Sequence, residues 1–299
     1  MRHIPVLLRE TIEALEVRPG GRYVDGTLGR AGHAREIIAR GGKVLGIDRD
    51  GEALREIGKI EGLLAVHGNH GSLAELARKN GWNEVDGILL DLGVSSPQLD
   101  EAARGFSFLH EGPLDMRMDQ SGGIRAAEIV NEADETRLVE VFRRWGEEPQ
   151  ARRLAKAIVK ARLAGMEFRT TKDLADLVEA TIGRQGGRHP ATRVFQALRM
   201  EVNDEMGELE RALQGGLEIL KRGGRFAVIT FESLTDRVVK RFFADHVGKL
   251  VSLQQGGEEW VGVEPRAMSV YKKSIVAGSD EVQVNPRSRS ARLRVIMKV

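Results

Sequence analysis

From Val24 to His33 the chain reads Val-Asp-Gly-Thr-Leu-Gly-Arg-Ala-Gly-His, which sets the carboxylate of Asp25 against glycines at 26, 29 and 32. Glycines so placed permit a tight turn and let a ligand approach the backbone closely. The apolar run ahead of Asp25 reads as a strand and the residues from His33 as a helix. The loop therefore falls where nucleotide-like ligands bind in doubly wound sheets. Dinucleotide sites use G-x-G-x-x-G, whereas Gly26, Gly29 and Gly32 form G-x-x-G-x-x-G. An acid beside the loop repels a pyrophosphate but suits the ammonium of a bound amino acid. S-adenosylmethionine carries an amino acid and a ribose and no phosphate. Asp48 ends the next apolar run, near the offset of about 20 residues at which an acid accepts hydrogen bonds from ribose hydroxyls. Ordinary strand-end turns use the same residue types, so the glycine loop alone is weak. Strand, loop, helix and second acid together favour a cofactor site.

A second stretch, Asp91-Leu92-Gly93-Val94-Ser95-Ser96-Pro97-Gln98-Leu99-Asp100, follows another apolar run. Methyl transfer from a sulfonium needs an aligned nucleophile more than acid–base chemistry. An exocyclic amine on a base is a poor nucleophile, because its lone pair is delocalised into the ring. Acceptors around the amine favour a pyramidal nitrogen and disperse its developing positive charge. Asp91, the backbone carbonyls of a turn stiffened by Pro97, and the Ser95, Ser96 and Gln98 side chains are groups of that kind. The turn loosely resembles the Asp/Asn-Pro-Pro-Tyr turn of amino-methyltransferases, with Ser96-Pro97-Gln98 in its place. A proline turn that only caps the next helix fits the same residues. The chain has no Cys, which excludes disulfides, thiolate zinc sites and thiol nucleophiles. Ser95 and Ser96 have no base beside them in sequence, and the His residues are scattered. Neither a serine nucleophile nor a metal is expected.

The elements that must position these residues are legible as alternation. Tyr23–Asp25, Val44–Asp48, Leu64–His67 and Ile88–Asp91 read as buried strands, with helical composition between them at 33–40 and 51–57. Strands alternating with helices predict a parallel sheet covered on both faces. From about Asp115 to Asn203 only helical periodicity remains. Leu154/Ile158 and Ala155/Val159 share one face there, with Arg152, Lys156 and Lys160 opposite. Strand pattern returns at 225–231 after a turn signal at Arg222-Gly223-Gly224, and again at 269–273 and 293–298. The expected organisation is an α/β domain in two parts, 1–112 and 205–299, interrupted by a helical domain at 113–204.

Lys plus Arg is 46 against 44 for Asp plus Glu, so net charge alone points to no partner. Local blocks say more. Arg287, Arg289, Arg292, Arg294 and Lys298 lie in 285–299 without an acid, and 151–163 carries Arg152, Arg153, Lys156, Lys160 and Arg162 without one. Such blocks suit a phosphate backbone, although solvated faces of a helix and an edge strand explain either block alone. The N-terminal apolar run is too short for a signal peptide, and no stretch approaches the roughly 20 apolar residues that span a bilayer. A cytoplasmic protein with no membrane partner is expected.

The match then becomes closer than a fold class. The sequence resembles the MraW/RsmH family, bacterial methyltransferases of the N4 atom of a cytidine in 16S ribosomal RNA of the small subunit. The resemblance runs through His3–Leu8 (HIPVLL), Asp25–His33 (DGTLGRAGH), Asp86–Asp100 (DGILLDLGVSSPQLD) and Arg104–Phe108 (RGFSF). It continues through Gly112–Asp119 (GPLDMRMD), His189–Arg193 (HPATR), Phe195-Gln196-Ala197 and Asn285–Arg289 (NPRSR). The block from Asp86 to Asp119 is highly specific. The resemblance implies a Rossmann-like S-adenosylmethionine-dependent methyltransferase fold with an inserted all-helical domain. It places Ala31, Gly32, His33, Asp48, His70, Asp91 and Gln98 at cofactor-contacting positions, with Asp25, Gly26 and Gly29 beside them. Catalysis falls to Asp91 and the turn Ser95, Ser96, Pro97 and Gln98. RNA binding is expected of Arg193, Arg237, Arg287 and Arg289, with 16S ribosomal RNA as partner and a homodimer allowed. Three positions depart from the family's usual pattern. Ala31 stands where Gly is common, His70 where an aromatic is common, and Glu232, in Thr230–Arg237, where the family has His.

Two other readings fit parts of the sequence. Glu232 and Ala31 allow a ribosome-assembly factor that keeps the fold and the RNA grip without turnover. The glycine loop alone allows a nicotinamide-dependent oxidoreductase.

Overall fold

The computed structural model describes residues 5–184, 187, 189–252, 257–261 and 264–299. His3 and Ile4 of the first motif lie outside the described residues. The chain forms two compact units, one of Met1–Gly93 with Met206–Val299 and one of Val94–Glu205.

The first unit begins with strands β1 (Arg22–Asp25), β2 (Lys43–Asp48), β3 (Leu63–His67) and β4 (Val85–Asp91), alternating with helices α1 (Leu8–Leu15), α2 (Gly32–Ala39), α3 (Gly51–Ile57) and α4 (Leu73–Lys79). The four strands lie where the apolar runs predict, and α2 and α3 where helical composition does, but β3, expected to be buried, is an edge strand with Leu64, Ala65 and His67 exposed. The second unit holds α5 (Ser96–Asp100), α6 (Ala126–Glu132), α7 (Glu135–Arg144), α8 (Ala151–Leu163), α9 (Thr171–Ile182) and α10 (Ala191–Val202). Helix α11 (Glu205–Ile219) leads back into β5 (Leu220–Thr230), followed by α12 (Ser233–Val247), β6 (Lys249–Ser252), β7 (Glu258–Val261), β8 (Ala267–Ser269), β9 (Ile275–Val276), α13 (Ser279–Val284) and β10 (Arg292–Lys298).

The main sheet has the order β3-β2-β1-β4-β5-β10-β8, with β9 also on β10 and β6 pairing β7 apart. Strands β1 to β5 are parallel and β10 runs antiparallel to β5. Alternate residues go to opposite faces. Val24, Leu45, Ile47, Ile88, Leu90, Phe226 and Val228 enter one apolar cluster, and Tyr23, Val44, Leu89, Ala227 and Ile229 enter another. A sheet covered on both faces reads as continuous apolar runs, which is why these strands were visible in the sequence. The chain order reverses between β1 and β4, so the carboxyl ends of these neighbours form the switch point where α/β sheets bind ligands.

Three further sequence expectations are corrected. Arg222-Gly223-Gly224 is no separate turn but an irregularity inside β5, where the register on β4 jumps from Val85↔Leu220 to Gly87↔Arg225 and Gly223 takes φ 76°. Strand β10 is not an edge, because β5 pairs with one side and β8 and β9 with the other. Of 269–273 only Ser269 is strand, the last residue of β8. Among the described residues no helix is long and apolar enough to cross a membrane.

In the second unit α8 buries Leu154, Ala155 and Ile158 and exposes Arg152, Arg153, Lys156 and Lys160, as its spacing predicts. Much of the most specific sequence block is spent on holding this unit together. Arg104, almost fully buried, donates from Nη2 to the carbonyls of Met118 at 2.9 Å and Arg117 at 3.3 Å. Buried Asn203 accepts from the Met118 amide (2.9 Å) and donates to the carbonyls of Met116 and Arg199, both at 2.8 Å. Asp115 accepts two bonds of 2.8 Å from the Arg117 guanidinium, whose charge helps hold the carboxyl below its usual range against desolvation. Gly105 has φ 73°, and a Cβ there would collide with the Pro113 carbonyl. Asn203→Ala should leave the Met118 amide without a partner in the core and lower stability by about 2–3 kcal/mol. Urea unfolding followed with amide exchange tests this, and α6 to α10 are expected to lose protection first.

Candidate active site

The carboxyl end of β1 is built from backbone bonds to both neighbours. The Gly26 amide donates to the Leu89 carbonyl of β4 (2.9 Å), and the Leu28 amide to the Ile47 carbonyl of β2 (3.0 Å). Thr27 ties the loop further. Its amide donates to Asp25 Oδ1 (3.2 Å), and its Oγ1 accepts from the Asp91 amide at the end of β4 (2.6 Å). A Cβ on Gly26 would stand 2.5 Å from Leu90 Cδ2 and 3.4 Å from His70 Cβ. At Gly32 it would collide with the Pro5 ring. Gly29 takes φ 50° and donates its amide to Asp48 Oδ2 (2.7 Å). Ala31 takes φ 60°, a left-handed conformation, with its methyl fully buried.

Three carboxylates end three strands here, and their environments differ. Asp25 is 2% exposed. Burial pushes its carboxyl up to about 7, and the charge of Asp48 adds to the shift. Asp91 is also pushed up to about 7, by burial first and then by Asp25. Its side chain keeps 23% exposure, but Oδ1 is sealed from solvent and has no hydrogen-bond partner. Asp48 is raised too, burial leading, although Oδ2 accepts from Gly29 and Oδ1 from the Asp50 amide (2.8 Å). Each oxygen of Asp48 retains a second lone pair.

His33 Nε2 lies 3.1 Å from the Val6 carbonyl. A carbonyl only accepts, so this nitrogen carries the proton. Nδ1 then faces Asp91 Oδ2 at 3.9 Å. His70 follows β3, and its imidazole is pushed down to about 3 by burial, with Arg49 and Arg211 adding to the shift. It is a neutral ring near pH 7, and its Nε2 is buried without a partner.

Asp25, Gly26, Gly29, Ala31, Gly32, His33, Asp48 and Asp91 therefore gather at the ends of β1, β2 and β4, with His70 beside Gly26. Ser95, Ser96, Pro97 and Gln98 belong to the second unit. There Ser95 and Gln98 form a capping box on α5, in which Gln98 Oε1 accepts from the Ser95 amide (3.0 Å) and Ser95 Oγ from the Gln98 amide (3.4 Å). Arg237, Arg287 and Arg289 are exposed in the first unit, and Arg193 is exposed in the second, 3.9 Å from Glu148. Glu232 is the N-cap of α12 at the carboxyl end of β5. The start of α12 is fixed by Asp236, which accepts from Arg294 Nε at 2.7 Å and Nη2 at 2.9 Å.

Sequence reasoning missed Thr27, although it lies inside the quoted loop, because its bond reaches a strand 64 positions away. It also missed Asn69, whose Oδ1 is buried without a partner next to His70. Glu208 was invisible. It sits on α11, and its carboxylate occupies the space that a side chain on Gly71 would need.

Residues 1–299 match the profile of the MraW methylase family. The chain is 46% identical over 308 residues to a protein of Symbiobacterium thermophilum named Ribosomal RNA small subunit methyltransferase H, covering 99% of this chain and 96% of that one. It is 45% identical over 311 residues to the protein of that name from Acetivibrio thermocellus, covering 100% and 99%. A solved rRNA methylase from Streptococcus thermophilus aligns with 12% identity and a TM-score of 0.44 over 100% of this chain and 99% of that one.

The raised carboxyls fix a sign for the effect of pH. Asp25 and Asp91 titrate at about 7 when folded and at about 4 when unfolded. Between these values the folded chain holds more protons, so raising the pH through this window should lower stability, by up to a few kcal/mol. Urea midpoints measured across the window test this, and Asp25→Asn should flatten the slope. An unaltered slope in that variant would place the excess protons elsewhere.

Proposed function

The chain belongs to the MraW methylase family, and from that premise we propose that it transfers the methyl group of S-adenosylmethionine to the N4 atom of a cytidine in 16S ribosomal RNA of the small subunit. One observation carries this reading. Two desolvated carboxyls, Asp25 and Asp91, end adjacent strands at the switch point, each pushed up to about 7 by burial, with Asp48 adding to the shift of Asp25 and Asp25 to that of Asp91. Such a pair is stabilised by a cation. S-adenosylmethionine, when bound, supplies an electrophilic methyl on a sulfonium, and its amino acid supplies an ammonium.

The residues present fit that donor. Asp25 opposes the ammonium, and Gly26, Gly29 and Gly32 keep the backbone clear of side chains. Asp48 has lone pairs left for ribose hydroxyls. The neutral His70 ring, with Nε2 unsatisfied, suits the face and edge of an adenine. Ala31, Gly32 and His33 open α2 beside Asp25 and belong to the same cradle; Gln98, to which the family resemblance also gives a donor contact, belongs to the second unit.

The acceptor is read from the same chemistry. Asp91 Oδ1, buried and without a partner, accepts a hydrogen bond from an exocyclic amine and stabilises the charge that grows on it. A carboxyl titrating near 7 also suits taking the proton that the amine sheds. The family resemblance also assigns catalysis to Ser95, Ser96, Pro97 and Gln98, which follow Asp91 in the chain and open α5. The second unit is read as an inserted helical domain. RNA is gripped by Arg193, Arg237, Arg287 and Arg289, and the setting is cytoplasmic.

Asp91→Ala is expected to lower transfer about 100-fold or more while the chain stays folded. Labelled donor and undermethylated small subunits provide the assay, and full activity in the variant would remove Asp91 from the chemistry. Nucleoside mass spectrometry of 16S ribosomal RNA from cells lacking the protein should show one N4-methylcytidine lost. Loss of a different methylated nucleoside would overturn the assignment of acceptor.

A further inference from the structure

We infer that a cavity at the β8 edge of the sheet binds a nucleotide of the RNA chain that lies outside the target position. This rests on the RNA reading above and adds to it a site that the sequence did not suggest. The cavity has a volume of about 660 Å³ and lies between the later turns of α12 and the segment 269–274, with β10 behind. Specific small-ligand sites fall at about 300–1,000 Å³, so one nucleotide is of the right size.

Its lining joins the groups that a nucleotide needs. Lys240, Lys272 and Lys273 surround it, and among the described residues no carboxylate pairs with any of them. This sets them apart from Arg9, Arg30, Arg40 and Arg78 of the same unit, each of which has a Glu partner. The remaining charges of the lining are already matched. Arg294 is held by Asp236, and Asp245 lies 3.9 Å from Arg241. The excess is therefore three ammonium groups, which is the footprint of a phosphate chain. Tyr271 is 39% exposed and has no ring partner among the described residues, so its face is open for a base. Phe243 forms the apolar floor.

The register places this cavity relative to the catalytic end of the sheet. Asp91 pairs with Ile229, and the next residue on β5, Thr230, pairs with Arg292. Arg294 lies two positions further along β10, and β8 is one strand beyond it. From β4 to β8 is three strand spacings, about 14 Å. The cavity is thus too far from Asp91 for the reacting base, and its distance suits a nucleotide a few positions away on the same strand.

The test uses the full chain, its methyl donor, and undermethylated small subunits or their RNA. Replacing Lys240, Lys272 and Lys273 together by Ala should raise KM for RNA by about 10-fold or more. The kcat, the calorimetric affinity for S-adenosylhomocysteine and the thermal midpoint should be kept. The slope of log affinity against log salt should become shallower by about 2, at roughly 0.7 per phosphate contact with a single strand. Tyr271→Ala should weaken RNA binding by about 5-fold or more, and Tyr271→Phe should restore it. An unchanged KM and salt slope in the triple variant would overturn the assignment. So would variants that lose a titrated mononucleotide yet keep RNA affinity, since the cavity would then serve a free nucleotide. Donor binding without any RNA-dependent transfer by the unaltered protein would instead remove the RNA reading itself.

Discussion

The structure of the site depends on carboxylates largely withdrawn from water, Asp25 almost wholly and Asp91 at its Oδ1. Asp25 and Asp91 end adjacent parallel strands of a sheet that is covered on both faces, so the packing that makes the strands also desolvates their last residues. In such surroundings a charge costs several kcal/mol unless something of opposite sign comes close. The fold supplies partial relief: the amide and side chain of Thr27 for Asp25, and an imidazole 3.9 Å away for Asp91. Burial thus stores an affinity for a cation at the switch point. The glycines keep the space in front of it free of side chains.

The second unit uses its signature residues differently. Arg104, Asp115, Arg117 and Asn203 are mostly turned inward, where they satisfy backbone groups of the long segment between the 3₁₀ turn Ala102–Arg104 and α6, which has no helix or named strand. A segment without helix or strand bonds must find partners for its amides and carbonyls in side chains. The specificity of the block from Asp86 to Asp119 therefore reports a packing solution as well as a site. The Ser95–Gln98 capping box makes the same point. Two side chains first read as acceptors for a substrate also satisfy the first turn of a short helix.

Particular residues show what the sequence could and could not reveal. Strands ending at Asp25, Asp48 and Asp91 were legible, because burial on both faces leaves an unbroken apolar run with an acid at its end. Helix α8 was legible because its charges and its aliphatic residues fall on opposite faces. The bulge in β5 was not, since Gly-Gly signals a break in either a turn or a strand, and only the partner strand decides which. Ala31 was visible as a departure, but its left-handed backbone was not. A residue with a Cβ costs about 1–2 kcal/mol there, and its buried methyl, packed in the cluster with Leu28 and Ala34, offsets part of that. Asn69 and Glu208 carried no signal, because their unsatisfied atoms follow from tertiary packing alone.

A near-neutral chain, +2 at pH 7, has to hold two ligands of opposite sign, a cationic donor and a polyanionic acceptor. The first unit separates the two demands by depth. Its acids sit at strand ends in low dielectric, where a single opposite charge is felt strongly and at short range. Lys240, Lys272 and Lys273, without a carboxylate partner among the described residues, stand exposed near a sheet edge, where each contributes little and salt screens it within about 10 Å. On the proposed reading the donor falls to a few desolvated groups and RNA to many weak ones. That difference explains why the acids were found as motifs and the lysines were not. A buried carboxylate needs a specific neighbourhood in the sequence, whereas Lys240, Lys272 and Lys273 only need to arrive at the same edge.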